Sequence, residues 1–176
     1  MNIFILNAGR CGSTTFIEAC RPIGNYTAGH ESRATLTGDR RLAYPENHIE
    51  ADNRLCWMLG RLDREYGDNA YYVHLTRNRD DSVASFVKRM DYGIMAAYRE
   101  GILMGGEGQS AVEIAADYLD TMTRNITLFL KDKQHRMDFS LERAASDFVD
   151  FWHWIGARGD LEQGLATWRT RHNASD

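Results

Sequence analysis

No stretch of the 176-residue chain comes near the roughly 18 uninterrupted apolar residues that a membrane span requires. Cysteine is sparse. Cys11, Cys20 and Cys56 cannot all pair with one another and form no C-x-x-C, which argues against a disulfide scaffold or a zinc module and makes a reducing compartment the default. The apolar stretch after Met1 is short and lacks the basic start of a secretion signal, so a cytoplasmic domain is expected. An excess of basic charge is missing too. Twenty-one Lys and Arg against 25 Asp and Glu leave a formal net charge of −4, which speaks against a chain that coats nucleic acid but permits a local basic pocket. What is present is ordinary for a globular chain: 43% hydrophobic and 26% charged residues, which excludes wholesale disorder. The length suits one domain over 1–176, with no internal repeat, low-complexity tract or linker to divide it.

The first half has the grammar of an α/β fold. Asn2-Ile3-Phe4-Ile5-Leu6 is apolar without alternation, as in a strand buried on both faces of a parallel sheet. Gly9 and Gly12 punctuate a turn, and Ser13 to Cys20 reads as a helix that Pro22 stops. A second strand is expected at His48–Ala51, followed by a helix from about Asn53 to Tyr66 with Leu55, Met58, Leu59 and Leu62 on one face. A third strand is expected at 71–76, with a helix opening near Asp80. In the second half, the four glycines within 101–108 predict a mobile loop. A long helical pattern runs from Val112 to Leu130, Arg136–Phe139 suits a short closing strand, and the Phe148, Phe151, Trp152, Ile155 stripe suits closing helices whose aromatics are core. The expected fold is therefore a three-layer, P-loop-like α/β architecture: a central, mainly parallel sheet flanked by helices, with a helical C-terminal half.

The most informative stretch is Leu6-Asn7-Ala8-Gly9-Arg10-Cys11-Gly12-Ser13-Thr14-Thr15. A turn that leads from a strand into a helix N-terminus can aim backbone N–H groups at an anion. Gly12 permits a tight approach, Arg10 brings a fork of permanent donors, and the Ser13 and Thr14 hydroxyls can reach phosphate oxygens. A Walker A loop is excluded, because no Lys precedes Ser13 and the first glycine stands only three residues before the second. No apolar strand ends in a clear Walker B aspartate, so the metal anchor of an NTPase is missing as well, and no metal is expected. Cysteine phosphatases need an Arg six residues after the nucleophile, where Ile17 stands, so Cys11 reads as a small loop residue.

The third candidate strand runs into Arg77-Asn78-Arg79-Asp80-Asp81-Ser82-Val83-Ala84-Ser85. There a strand-end Arg and a helical Ser can close on one phosphate. Taken together, basic-x-Gly-[Ser/Thr]-Thr after one strand and Arg with Ser eight residues later after another resemble the sulfotransferases that use 3′-phosphoadenosine 5′-phosphosulfate. A third segment, Gly29-His30-Glu31-Ser32-Arg33, is similar to the Gly-Glu-Glu-Thr-Arg of the tyrosylprotein sulfotransferases. Its Glu31 lies twenty-one residues beyond Arg10, the same spacing as in that family, whereas His30 departs from the family's first Glu. The motifs span residues 3 to 90.

The resemblance implies in-line transfer of a sulfuryl group from 3′-phosphoadenosine 5′-phosphosulfate to an acceptor hydroxyl, or to an amine. Arg10, Cys11, Gly12, Ser13 and Thr14 would grip the 5′-phosphosulfate, with Arg10 also catalytic, and Arg77 and Ser85 would hold the 3′-phosphate. Glu31 would be the base, His30 its rival, and Arg33 a nearby catalytic or substrate-contacting arginine. Arg169-Thr170-Arg171-His172-Asn173 is the counterpart considered for a basic tail that covers the cofactor. Asn53 and Arg54 follow a candidate strand where α/β sheets place ligand contacts. Trp57, Tyr92, Tyr98 and Trp168 are candidates for an acceptor pocket, and the 101–108 loop for its lid. The acceptor's identity stays open among carbohydrate, phenol, lipid and peptide hydroxyls. An atypical P-loop small-molecule kinase and a non-catalytic nucleotide-binding module of the same fold are the competing readings. Neither nucleic acid nor membrane is an expected partner.

Overall fold

Strand β1 (Asn2–Leu6) can occupy the centre of a sheet because nothing in its side chains from Ile3 to Leu6 needs water, and all four are completely buried. The computed structural model describes residues 1–169 and sets β1 in a five-stranded, wholly parallel sheet of order β2-β3-β1-β4-β5. The other strands are β2 (Thr27–His30), β3 (His48–Ala51), β4 (Ala70–Thr76) and β5 (Arg136–Ser140). β1 pairs Ile3 with Ile49 on one side and with Tyr71 on the other.

Alternate residues of each strand feed two cores, one on each face of the sheet. Phe4, Leu6 and Tyr72 pack under α2 (Leu59–Tyr66), α3 (Arg79–Val87), α4 (Gly93–Ala97) and the long α5 (Ala111–Leu130). Ile3, Ile5, Val73 and Phe139 pack under α1 (Ser13–Cys20), α6 (Ala144–Trp154) and α7 (Leu161–Thr167). The result is the expected three-layer arrangement. Trp168 packs against the second core, where its ring meets Phe16, Phe139 and Phe148.

Three details differ from the expected elements. β2 is an additional strand, four residues long at the sheet edge and paired with β3 alone. The expected Asn53–Tyr66 helix is divided into a 3₁₀ turn, Asn53–Trp57, and α2. The Asp52 carboxylate accepts from the Arg54 amide at 2.8 Å and closes that tighter turn. The glycine segment begins in a π-turn, Tyr98–Ile102, that continues α4. Residues 170–173 of the candidate basic tail lie outside the described residues.

The topology fixes where ligand contacts can gather. The chain leaves β1 toward β2 and β3 on one side, then crosses to β4 on the other. The segments that follow β1, β3 and β4 therefore converge at the carboxyl edge of the sheet, where open α/β sheets bind ligands.

Candidate functional site

The loop after β1 turns sharply, with positive φ at Gly9, Arg10 and Gly12. Gly12 stands at the cap of α1 with φ 88°, a conformation that favours glycine, and a Cβ there would lie 2.8 Å from the end of the Leu141 side chain, which would have to shift. A glycine cap brings no side-chain oxygen to the first-turn amides of α1. By contrast, Asn78, Ser110 and Asp160 cap α3, α5 and α7 through their side chains. A helix start whose cap residue brings no side chain favours an anion.

Four carbonyls of the loop, which would repel that anion, are taken by protein donors. Asn7 O accepts from the Cys56 thiol, Ala8 O from the Tyr118 hydroxyl at 2.7 Å, Arg10 O from Arg77 at 3.3 Å and Gly12 O from the Phe16 amide at 2.9 Å. Asn7 is itself fully buried and accepts from the Gly9 amide, bracing the turn from within. Cys11 packs its side chain into the core, where burial pushes the thiol up to about 12. It is a packing residue of the loop and not a thiolate.

The two basic motifs interlock. Arg10 Nε donates to Ser85 Oγ at 2.9 Å, while Arg77, from the end of β4, holds the Arg10 backbone. Arg77 also lies 3.6 Å from Asp81, one helical turn on. A third arginine joins them. Arg89 follows α3 four residues after Ser85, lines the cleft beside Arg10 and stacks over Tyr92 at 5.5 Å from the ring centre. Its Nε is buried with no hydrogen-bond partner among the described residues. The Arg10 guanidinium is held below its usual pKa, first by burial and then by the charges of Arg89 and Arg77. Gathering like charges at the mouth of an uncapped helix costs stability unless an anion completes the site. Arg89 was not among the residues the sequence pointed to, because it stands in the turn beyond α3, where helical spacing no longer applies.

The opposite wall comes from β2 and the turn after it. His30 Nε2 lies 3.1 Å from Ser13 Oγ and 3.5 Å from Thr14 Oγ1, tying the edge strand to the α1 terminus. Glu31 has φ 52°, uncommon for a residue with a Cβ, and its carboxylate meets Arg54 Nη1 at 2.7 Å. A buried network sets this conformation. Glu50, fully buried on β3, accepts from the Ser32 amide at 2.7 Å, the Ser32 hydroxyl at 2.5 Å and His48 at 2.9 Å. Gly29 makes room for that carboxylate, since a Cβ there would lie 2.9 Å from Glu50 Oε2. At the end of β3, Asp52 pairs with the buried Arg41 and also supports Arg54.

A cleft of about 210 Å³ therefore brings together Gly9, Arg10, Ser13, Thr14, His30, Glu31, Asn53 and Arg89. Arg77 lies on the far side of the loop, in a second cavity of about 160 Å³ that shares Gly9. Arg33 is absent from both. Its guanidinium donates to Arg40 O at 3.0 Å and lies over the Tyr44 ring, a lodging the aromatic residue makes favourable.

Neither a family model nor a curated protein sequence matches the chain. Among solved structures, the sulfotransferase domain from the curacin biosynthetic pathway is similar, with a TM-score of 0.61 at 15% identity over 92% of this chain and 75% of that one. At such identity the likeness concerns the fold, which is sulfotransferase-like. No helix among the described residues is long and apolar enough to cross a membrane.

Proposed function

We propose that the protein is a sulfotransferase that takes its sulfuryl group from 3′-phosphoadenosine 5′-phosphosulfate. The observation that carries this reading is the gathering of Arg10 and Arg89 beside a glycine-capped helix terminus, with Ser85 bonded to Arg10 and Arg77 holding the Arg10 backbone from the second cavity. The buried, unpartnered Arg89 Nε is a polar atom of the kind a phosphate oxygen would satisfy, so the residues present suit the donor. In the transfer, the acceptor oxygen bonds to sulfur as the bond from sulfur to the 5′-phosphate breaks, with the electron pair leaving on the phosphate and the acceptor proton passing to the base.

Arg10, the α1 amides and the Ser13 and Thr14 hydroxyls would face the phosphosulfate and stabilise charge that grows on the departing oxygen. Arg77, Ser85 and Arg89 would neutralise the 3′-phosphate. Glu31 is the proposed base: its strained backbone aims a carboxylate into the cleft, and the Arg54 pair keeps that carboxylate oriented. His30, bonded to the loop hydroxyls, would position the loop.

The test is release of adenosine 3′,5′-bisphosphate from the donor in the presence of chelator and a panel of hydroxyl acceptors. The reading predicts acceptor-dependent release that Glu31→Gln lowers by about 100-fold or more, with a smaller loss in His30→Ala. Retention of turnover by Glu31→Gln and its loss in His30→Ala would move the base to His30. Bisphosphate binding without release for any acceptor would leave a binding module.

A further inference from the structure

Beside the cleft runs a groove of different character. It has a volume of about 290 Å³ and is walled by Trp57, Met58, Ile94, Ala97 and Ile102, with Arg54 as its one charged side chain. Tyr98 also lines it but turns its hydroxyl onto Asp117 Oδ2 at 2.6 Å, so it offers the groove no free hydroxyl. Trp57 and Ile102, 40% and 55% exposed, are two large apolar side chains of its lining left in water. The π-turn at Tyr98–Ile102 directs one end of its segment inward and the other outward: Tyr98 is buried and Ile102 is exposed.

The groove adjoins the cleft. Ile94 lines both, and Arg54 lines the groove while its Nη1 touches Glu31 at 2.7 Å. Arg54 and Ile94 are thus the residues past which a molecule in the groove would reach the Glu31 carboxylate. The volume lies just below the usual range for ligand pockets, about 300–1,000 Å³, which suits a small ligand. The walls have almost nothing to exchange for hydroxyls stripped of water, so each unpaired sugar hydroxyl would oppose binding. An apolar skeleton gains from the same walls.

We infer that the acceptor is a small molecule with a single hydroxyl on an apolar body, a phenol or an alkyl alcohol, seated in this groove with its oxygen at Glu31. The inference rests on the sulfuryl-transfer reading for its chemistry, but the seat can be tested without turnover. Protein labelled at isoleucine methyls is titrated with 2-naphthol, 1-decanol, methyl β-D-glucoside and an N-acetyltyrosine amide peptide, each with and without adenosine 3′,5′-bisphosphate. The expected result is saturable shifts of the Ile94 and Ile102 methyls with naphthol or decanol and none with the glucoside; whichever of the two binds more tightly identifies the skeleton as aromatic or aliphatic. Ile102→Asp should raise the Kd for that probe about tenfold or more by placing charge on the apolar wall, and the bisphosphate Kd should not move. Trp57→Ala serves as an independent second variant. Equal or tighter binding of the glucoside or the peptide, or no methyl shift with either apolar probe, would overturn the inference. Failure of the bisphosphate to bind would count against the transfer reading alone, because the methyl shifts are read in its absence too.

Discussion

Arg89 is the residue in which stability and function pull apart. Its guanidinium sits among like charges, with a buried Nε that finds no partner among the described residues. Such a group is expected to destabilise the ligand-free fold and to strengthen anion binding. Arg89→Met should therefore raise the melting temperature of the ligand-free protein, or leave it unchanged, while weakening adenosine 3′,5′-bisphosphate by about 10–100-fold. Calorimetric melting and titration on the same variant check both halves. Gly12 makes the opposite case. Its φ of 88° and the 2.8 Å approach to Leu141 predict that Gly12→Ala loses about 1–2 kcal/mol of stability in denaturant titration and loosens the loop as well. Both glycines of the loop were legible from the sequence by their spacing. Arg89 was not, because a lone arginine after a helix has no signature until the partners around it are known.

Among the elements, β1 was readable because a strand buried on both faces writes an unbroken apolar run. β2 was not. Thr27–His30 is short and half-exposed, and Gly29 is there to admit the Glu50 carboxylate, a reason that exists only after β2 and β3 are paired. The same pairing explains how β3 tolerates Glu50, whose charge the Ser32 amide and hydroxyl and His48 satisfy. The division of the Asn53–Tyr66 segment depends on Asp52 capturing a backbone amide, a local competition that hydrophobic spacing does not report. β4 carries a prediction of its own. Burial holds His74 below its ordinary pKa of 6.5, against a weaker upward pull from Asp138. The unfolded chain then takes up the proton first, so His74 costs nothing at neutral pH and subtracts stability as pH falls through 6.5 toward the folded value. His74→Gln should flatten the loss of stability between about pH 7 and pH 5 relative to the parent in denaturant titrations.

For the molecule as a whole, a net charge of −4 surrounds one local concentration of arginine. The fold concentrates it: strand order brings the loop after β1, the end of β4 and the turn after β2 to one edge, although they are scattered between residues 9 and 89 of the chain. Composition recorded the charge balance but not this gathering, which depends on the crossover that puts β4 next to β1. The interlock of Arg10 with Ser85 goes further, since the side chains assigned to opposite ends of a nucleotide touch each other. On the proposed reading, a doubly phosphorylated adenosine would draw on both motifs at once.

Isothermal titration with adenosine 3′,5′-bisphosphate in the presence of chelator tests this most directly, run on the parent protein, Arg10→Ala and Arg77→Ala, with 5′-AMP and magnesium ATP as rival ligands. One saturable site is expected that prefers the bisphosphate to 5′-AMP, needs no magnesium, and weakens about 10–100-fold in each variant. A preference for magnesium ATP, or bisphosphate binding that neither substitution disturbs, would contradict it.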